Sequence, residues 1–355
     1  MGTGAMAIVA AENPGLIPFL ERPLDIVAMA LLILAAMAFL VLIVIQARSV
    51  WDHDRGNVGK GLLGRITAHE QGPLYATIPG SISVLCLAVM NRFPSVLESE
   101  AGWWLLMVAS MLSTFSAIIL TVVFFSAAFA DDNVDAEAIS GTWFVPETVM
   151  LLGVVLASRL AFLAPQWVES PLAVLTVALM GAGFILFLLT AALLFTRLVI
   201  WPRVARGRSA VWIMLSPLGV ATLALHAVSE VAPIFGFGRA AAVTTITDLG
   251  AGMIWGFALW WLGAAAVLNL GDYFGKDPTQ RKKDYSFAPS EWAFVFPPAA
   301  LTIATIELAR LWSSSLVELI GVGMATLMTG VWVVVLSRAL MSLRTPVQAA
   351  PLSTE

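Results

Sequence analysis

The feature that most constrains this chain is a series of long apolar segments that are almost free of charge. A helix needs about 20 apolar residues to cross the ~30 Å hydrocarbon core of a bilayer. Nine segments reach that length, and a tenth, residues 2–11, is about half as long. The nine are residues 23–47, 72–92, 103–127, 142–163, 171–199, 209–231, 244–270, 288–310 and 315–342. We therefore predict an all-α integral membrane protein of ten spans, numbered in chain order with residues 2–11 as span 1.

The composition excludes a soluble protein and disfavours a membrane enzyme. Charged residues make up 12% of the chain, whereas a soluble globular domain carries about 25%. No long hydrophilic segment is available as a catalytic lobe, so we expect no enzyme, one transmembrane pore domain over residues 1–345 and a short cytoplasmic tail over 346–355. His53 and His69 fall in a predicted loop, and no metal or haem motif is present. We expect no cofactor, no metal and no nucleic-acid partner.

The positive residues are distributed unequally between the two sides of the predicted bundle. Of the 19 Lys and Arg residues, 14 lie in or near segments that follow even-numbered spans, and 5 lie near segments that follow odd-numbered spans. An excess of Lys and Arg marks the cytoplasmic side of a membrane protein. We therefore expect a multi-pass protein of the cell membrane with both termini in the cytoplasm.

Prolines recur inside the odd-numbered spans at a spacing of about 70 residues, in the contexts TIPGS, FVPET, LSPLG and FPPAA. The equivalent positions are Gly4, Pro79, Pro146, Pro217 and the adjacent Pro297 and Pro298. We find no proline in the interiors of the even-numbered spans. Proline bends or breaks a helix interior, and a membrane helix tolerates it where neighbours satisfy the freed carbonyl. The pattern predicts five repeated helical hairpins whose odd-numbered helices are kinked at these positions.

Five hairpins of one orientation favour a ring of helices around a central pore. Small and hydroxyl residues such as Gly80, Ser83 and Thr148 cluster near the prolines, whereas even-numbered spans carry bulky runs such as WWLLM at 103–107. Small residues allow helices to approach closely, and hydroxyls can face water. We therefore place the odd-numbered helices around the pore and the even-numbered helices toward lipid. The alternative is that the small residues serve only helix packing.

Charged residues inside the spans are candidates for function because burial of a charge in hydrocarbon is costly. Glu147 directly follows a proline and is a candidate lumen carboxylate for proton coupling or selectivity; the alternative is a helix–helix hydrogen bond behind the pore. His226 and Glu230 share one helix face at i, i+4. They are further candidates for proton coupling, with a structural pair as the alternative.

Three arginines, Arg92, Arg159 and Arg310, each lie 13 residues after the proline of their own repeat. That distance is about 20 Å along a helix, or one leaflet. Equivalent helix ends in a ring would bring the three cations together at one mouth, and clustered cations attract anions. The sequence thus predicts an anion vestibule, with ordinary interfacial arginines at helix C-termini as the alternative.

Two phenylalanines precede the double proline in EWAFVFPPAAL, residues 291–301. Phe296 directly precedes the predicted kink of span 9, where the lumen should be narrow. A ring at that position would exclude water and ions, which is how hydrophobic gates close a channel. Phe296, with Phe294 second, is therefore the candidate pore gate, and apolar packing is the alternative.

Three stretches carry a resemblance to a known family. MGTGAMAIV, GTWFVPETV and EWAFVFPPAALT resemble segments of the tellurite-resistance/dicarboxylate transporter family, which includes TehA-like anion channels and plant slow anion channels. The resemblance covers almost the whole chain. It implies ten helices in five hairpins and a homotrimer in which each subunit has its own pore. It also implies that the phenylalanine before the span-9 proline plugs the pore, a role that falls on Phe296.

Two features depart from the family pattern. The MGTG-like stretch lies inside the first helix of relatives but begins this chain, so we expect either a true start further upstream or a helix 1 truncated at its N-terminus. Glu147 stands where relatives often have an apolar residue or a second proline, and its charge would oppose anions unless it is protonated.

These observations favour a multi-pass channel or transporter for small anions with a phenylalanine-gated pore. The alternative is a proton-coupled transporter of C4-dicarboxylates of the malate type, with Glu147 titrating, or a transporter of sulfite or tellurite-like oxyanions.

Overall fold

The computed structural model describes residues 1–12, 21–54, 61–69, 71–132, 134, 138–200, 208–236, 240–275 and 287–344. Within these ranges every regular element is a helix, which confirms the predicted all-α class. The predicted tail, residues 346–355, lies outside the described residues, as do many of the positive residues that predicted the orientation.

Ten helices form the body of the described structure. They are α1 (Gly2–Glu12), α2 (Glu21–Asp54), α3 (Thr77–Arg92), α4 (Glu100–Ala130), α5 (Phe144–Ala161), α6 (Gln166–Ile200), α7 (Leu215–Val231), α8 (Ala240–Gly275), α9 (Phe296–Leu311) and α10 (Ser315–Arg344). Nine helical stretches in the described ranges are long and apolar enough to cross a membrane. The exception among the ten is α1, with 11 residues.

The odd-numbered helices form a closed ring. α1 contacts α3, α3 contacts α5, α5 contacts α7, α7 contacts α9, and α9 contacts α1. Each even-numbered helix packs against the odd-numbered helix that precedes it in the chain. Between 56% and 89% of the residues in the spans of α3, α5, α7 and α9 are buried, against 17% to 39% in those of the even-numbered helices. The odd-numbered helices therefore lie inside and the even-numbered helices outside.

Each proline of the repeat lies in the first turn of its α-helix. Pro79, Pro146, Pro217 and Pro298 each occupy the third helical position, and Gly4 occupies the same position in α1. The N–H groups of a first helical turn have no acceptor within the helix, so proline costs little there. The break in regular structure precedes the proline: 3₁₀ turns run over Gly72–Ala76, Gly141–Trp143 and Pro289–Phe294.

Two sequence interpretations need correction. α6 begins at Gln166, five residues before Pro171, so an even-numbered helix does contain a proline, inside its second turn. α2 extends to Asp54, so His53 lies in the last turn of that helix instead of in a loop. Both errors came from placing the helix ends where the apolar runs end, since helices extend past the apolar run into the polar region.

The hydroxyl residues near the prolines serve packing. Ser113 of α4 donates to the carbonyl of Pro79 at 2.6 Å and lies 2.7 Å from the hydroxyl of Ser83. Thr148 donates to the carbonyl of Phe144 at 2.7 Å and accepts from Ser216 of α7 at 3.3 Å. These side chains are buried between helices, which favours packing over a lumen-facing role for them.

A glycine sets the distance between α7 and α9. A Cβ on Gly219 would lie 2.6 Å from the backbone nitrogen of Leu301 and 2.7 Å from the carbonyl carbon of Ala300. The obstacle is backbone, which cannot move aside as a flexible side chain does. The α7–α9 contact of the ring therefore requires glycine at this position.

We expect Gly219→Ala to destabilise the protein by about 1–3 kcal/mol, because overpacking forces the two helices apart. The thermal unfolding midpoint of the detergent-purified protein measures this loss. Gly263→Ala on α8 is the matched control, since a Cβ there has no atom within 4 Å. Equal midpoints for the two variants would contradict the assigned role of Gly219.

Candidate pore and its polar mouth

The ring encloses a narrow cavity of about 50 Å³. All five odd-numbered helices contribute to its wall. The lining residues are Ala5, Ile8, Val84, Leu87, Asn91, Leu152, Val155, Arg159, Val220, Leu223, Phe296, Ala300, Ile303 and Glu307. A cavity of this size holds only a few water molecules, so the lumen in this conformation is constricted.

One face of α9 follows the cavity from end to end. Phe296, Ala300, Ile303 and Glu307 are spaced four, three and four residues apart and so share one helix face. Phe296 is the first residue of α9, and Glu307 lies about 16 Å further along the axis at 1.5 Å per residue. The cavity therefore has an aromatic ring near one end and a carboxyl group near the other, with aliphatic side chains between.

Of the two candidate gate residues, the structure brings only Phe296 to the cavity wall. Phe294 ends the 3₁₀ turn before α9, and its ring packs edge-to-face on Trp212 with centroids 5.6 Å apart. The same turn is held to α10 by Glu291, whose carboxylate accepts from Arg338 Nε at 2.7 Å and Nη2 at 2.8 Å. This bidentate salt bridge has a well-defined geometry. It therefore fixes the position of the turn that leads into Phe296.

A chain of polar side chains closes the other end of the cavity. It comprises Glu12, Asn91, Arg159, Glu307 and Arg310, which we call the polar mouth. Arg159 donates to the side-chain oxygen of Asn91, whose amide donates to Glu12 at 2.7 Å. Arg310 pairs with Glu12 and lies 3.4 Å from Glu307. The chain thus links α5, α3, α1 and α9, and its two ends, Arg159 and Glu307, both line the cavity.

Of the three predicted vestibule arginines, Arg159 and Arg310 belong to the polar mouth and Arg92 does not. Only Arg159 lines the cavity. Arg310 pairs with carboxylates, and Arg92 lies 3.6 Å from Asp25 of α2. Arginines at the same distance from their prolines therefore do not all point toward the lumen. The side chain that lines the lumen near this end is Asn91 on α3 and Glu307 on α9.

Glu147 lies behind the pore wall. It is fully buried, and one of its carboxyl oxygens accepts from Thr190 of α6, the even-numbered helix outside α5. Its other oxygen is buried without a hydrogen-bond partner, and the residue is absent from the cavity lining. The geometry matches the helix–helix hydrogen bond that we gave as the alternative.

His226 and Glu230 form part of a cluster between α7 and α8. His226 Nε2 lies 3.8 Å from Glu230, and its Nδ1 lies 3.7 Å from Asp248. Glu230 also accepts from Ser158 of α5 at 3.0 Å. Neither His226 nor Glu230 lines the cavity. In the described part of the chain no group of three or more residues is placed to hold a metal ion.

The sequence analysis missed Glu12, Asn91 and Glu307. A signal was present for Glu307, which lies inside span 9 on the same helix face as Phe296. Glu12 and Asn91 fall at the ends of apolar segments, where polar residues are ordinary, so only the structure shows that they meet.

A closed ring of five helices, four of them long and apolar enough to cross a membrane, around a narrow lumen is typical of a multi-pass channel or transporter. Comparison with known proteins refines this class: residues 1–340 match SLAC1, the voltage-dependent anion channel family. The chain belongs to this family, which confirms the resemblance stated above.

Two relatives come from Methanocaldococcus jannaschii, and each is described as an uncharacterized transporter. One is 26% identical over 343 residues, which covers 95% of this chain and 89% of the relative. The other is 26% identical over 219 residues, which covers 60% of this chain and 58% of the relative.

We expect Glu12→Gln to destabilise the protein by about 1 kcal/mol, because Arg310 loses the charge of one of its two carboxylate partners and keeps Glu307 and the backbone carbonyl of Glu12. Thermal unfolding in detergent measures the change. Glu98→Gln, which removes an exposed carboxylate between α3 and α4, is the control and should leave the midpoint unchanged. If the two variants unfold alike, the polar mouth does not stabilise the ring.

Proposed function

We propose that the protein is a gated channel for small anions in which the ring of Phe296 closes the pore. The observation that supports this most directly is the position of Phe296 in the wall of a cavity of about 50 Å³ that all five odd-numbered helices enclose. Membership of an anion channel family supplies the class of ion.

The surroundings of Phe296 are suited to a hydrophobic gate. Beyond it the wall consists of aliphatic side chains such as Ala300, Ile303 and Leu152. A narrow apolar passage loses its water and so blocks ions, and a small change in its width restores conduction. Rotation of one phenyl ring changes the width at that point without any movement of the helices.

The cavity favours small inorganic anions such as chloride or nitrate. Sulfite and tellurite-like oxyanions remain within the proposed class, because they too are compact anions. Their relative permeability follows from the cost of removing water from each ion in an apolar passage.

Phe296→Ala should open an anion leak that the wild type lacks, because the methyl group of alanine is too small to fill the passage that the phenyl ring closes. Chloride efflux from proteoliposomes measures the leak. Phe294→Ala is the matched control, since it removes the same ring two residues away and outside the cavity lining. The proposal fails if Phe296→Ala stays closed, or if Phe294→Ala leaks to the same extent.

A proton-coupled carrier of C4-dicarboxylates is less well supported. Glu147, the residue on which that alternative depended, bonds to Thr190 behind the pore wall. In addition, the cavity is small for a four-carbon diacid. We expect no malate uptake by wild-type proteoliposomes when an inward proton gradient is applied. Malate uptake that follows the proton gradient and disappears in Glu147→Gln would show that the protein is a proton-coupled carrier and not a channel.

We further propose that the protein resides in the cell membrane with both termini in the cytoplasm, so that the polar mouth faces outward. The unequal distribution of Lys and Arg supports this orientation.

We also propose a homotrimer in which each subunit has its own pore. The ring closes within one chain, so a subunit needs no neighbour to complete its lumen. The mass of the particle extracted in native lipid tests the number of subunits.

A further inference from the structure

We propose that Arg159, together with the side-chain amide of Asn91, forms a binding site for a small monovalent inorganic anion in the pore, and that Glu307 weakens binding there. This inference rests on the proposed function, since it assigns the conducted ion a place in the same lumen. It goes further by naming the residues that attract the ion and the residue that opposes it.

The charge of Arg159 is available to the lumen. Arg310 and Arg92 form ion pairs with Glu12 and Asp25. In the described ranges Arg159 forms no such pair, and its hydrogen bond goes to the neutral oxygen of Asn91. A guanidinium has five N–H donors, and no nitrogen of Arg159 is both buried and unpartnered. Donors that the protein does not use are therefore exposed, and Arg159 lines the cavity.

The surroundings of Arg159 strengthen its attraction for an anion. Apart from Asn91, Arg159, Glu307 and the ring of Phe296, every residue of the cavity wall is aliphatic. An apolar wall lowers the local dielectric response, so a cation attracts an anion more strongly there than in water. The amide of Asn91 fixes one edge of the guanidinium, which leaves the site preorganised for its ligand.

Glu307 lines the same cavity as Arg159. The titratable or charged groups around it are Glu12 of α1, Arg159 of α5, His226 of α7 and Arg310 of its own helix. In the polar mouth two arginines face two glutamates, so the formal charges cancel. Removal of the charge on Glu307 leaves a net positive mouth, whereas removal of the charge on Arg159 leaves a net negative one.

The class of ligand follows from charge and size. One available guanidinium balances one negative charge, and the cavity of about 50 Å³ accommodates a compact ion. Chloride and nitrate meet both conditions, whereas a large organic anion such as gluconate does not. Nitrate is also planar, which matches the guanidinium fork.

The experiment measures anion binding directly. The thermal unfolding midpoint of the detergent-purified protein is followed as sodium chloride or sodium nitrate replaces sodium gluconate at constant ionic strength. A ligand that binds the folded state raises the midpoint in a saturable way. We expect this shift in the wild type, an apparent affinity about tenfold weaker or worse in Arg159→Gln, and partial retention in Arg159→Lys.

Two further variants separate a charge effect from a loss of structure. Glu307→Gln should bind the anion more tightly than the wild type, a direction that damage to the fold does not produce. Arg22→Gln removes an exposed arginine at the start of α2 and should bind as the wild type does. The Arg159→Lys and Glu307→Gln variants decide the question even if Arg159→Gln does not fold.

Unchanged affinity in Arg159→Gln, or weaker binding in Glu307→Gln, overturns the proposal, as does the absence of any midpoint shift in the wild type. The unfolding assay measures anion binding and does not depend on conduction. If Phe296→Ala does not leak in the flux assay, the gate is therefore rejected and the proposed anion site is unaffected.

In the Phe296→Ala background, Arg159→Gln should also lower the permeability of chloride relative to that of sodium. Reversal potentials measure this ratio.

Discussion

The function proposed for this protein depends on how closely five short helices approach one another around a single axis. The ring leaves a cavity of about 50 Å³, so a small outward shift of one helix would change the lumen substantially. At Gly219 the backbones of α7 and α9 meet without a side chain between them. In a bilayer the hydrophobic effect does not drive helices together, so close packing of small residues supplies much of the attraction. The outer helices can then present bulky apolar residues to lipid without affecting the lumen.

The placement of charge follows from the same constraint. A charge in the hydrocarbon region requires a partner or access to water. The polar mouth meets this requirement by linking α1, α3, α5 and α9 through one chain of contacts. This chain also ties α1, which is only 11 residues long, to its two neighbours in the ring. The residues that keep the ring closed at this end are therefore the same residues that present charge to the lumen.

Much of the fold could be predicted from the sequence because it depends on composition and period. Apolar length identified the spans, and recurrent prolines identified which helices are equivalent. Helix ends were harder: the apolar run alone stopped too early for α2 and began too late for α6. The prolines do mark equivalent positions in the odd-numbered helices, but they do not kink the helix interiors as predicted. Each lies in the first turn, where a proline marks the start of a helix and leaves its interior intact.

The site could be predicted only in part, because spacing along the chain does not fix the rotation of a helix. Arg92 and Arg159 both lie 13 residues after the proline in the third position of their helix, yet only Arg159 reaches the cavity. A difference of one residue between Asn91 and Arg92 is a rotation of about 100° on a helix, which is enough to exchange a lumen position for a packing position. Packing against the neighbouring helices sets that rotation, and those neighbours are distant in sequence.

The two ends of the lumen therefore have different chemistry for a physical reason. In the proposed gate, an apolar constriction at Phe296 would block every ion by dehydration, with little preference among anions of similar hydration. A charged group discriminates between ions of opposite sign but does not by itself close a passage. Because α9 carries both features on one face, about 16 Å apart, a movement of this helix would affect closure and selection together. The contact of Glu291 with Arg338 holds the start of that helix to α10, so any such movement would have to carry this contact along or break it.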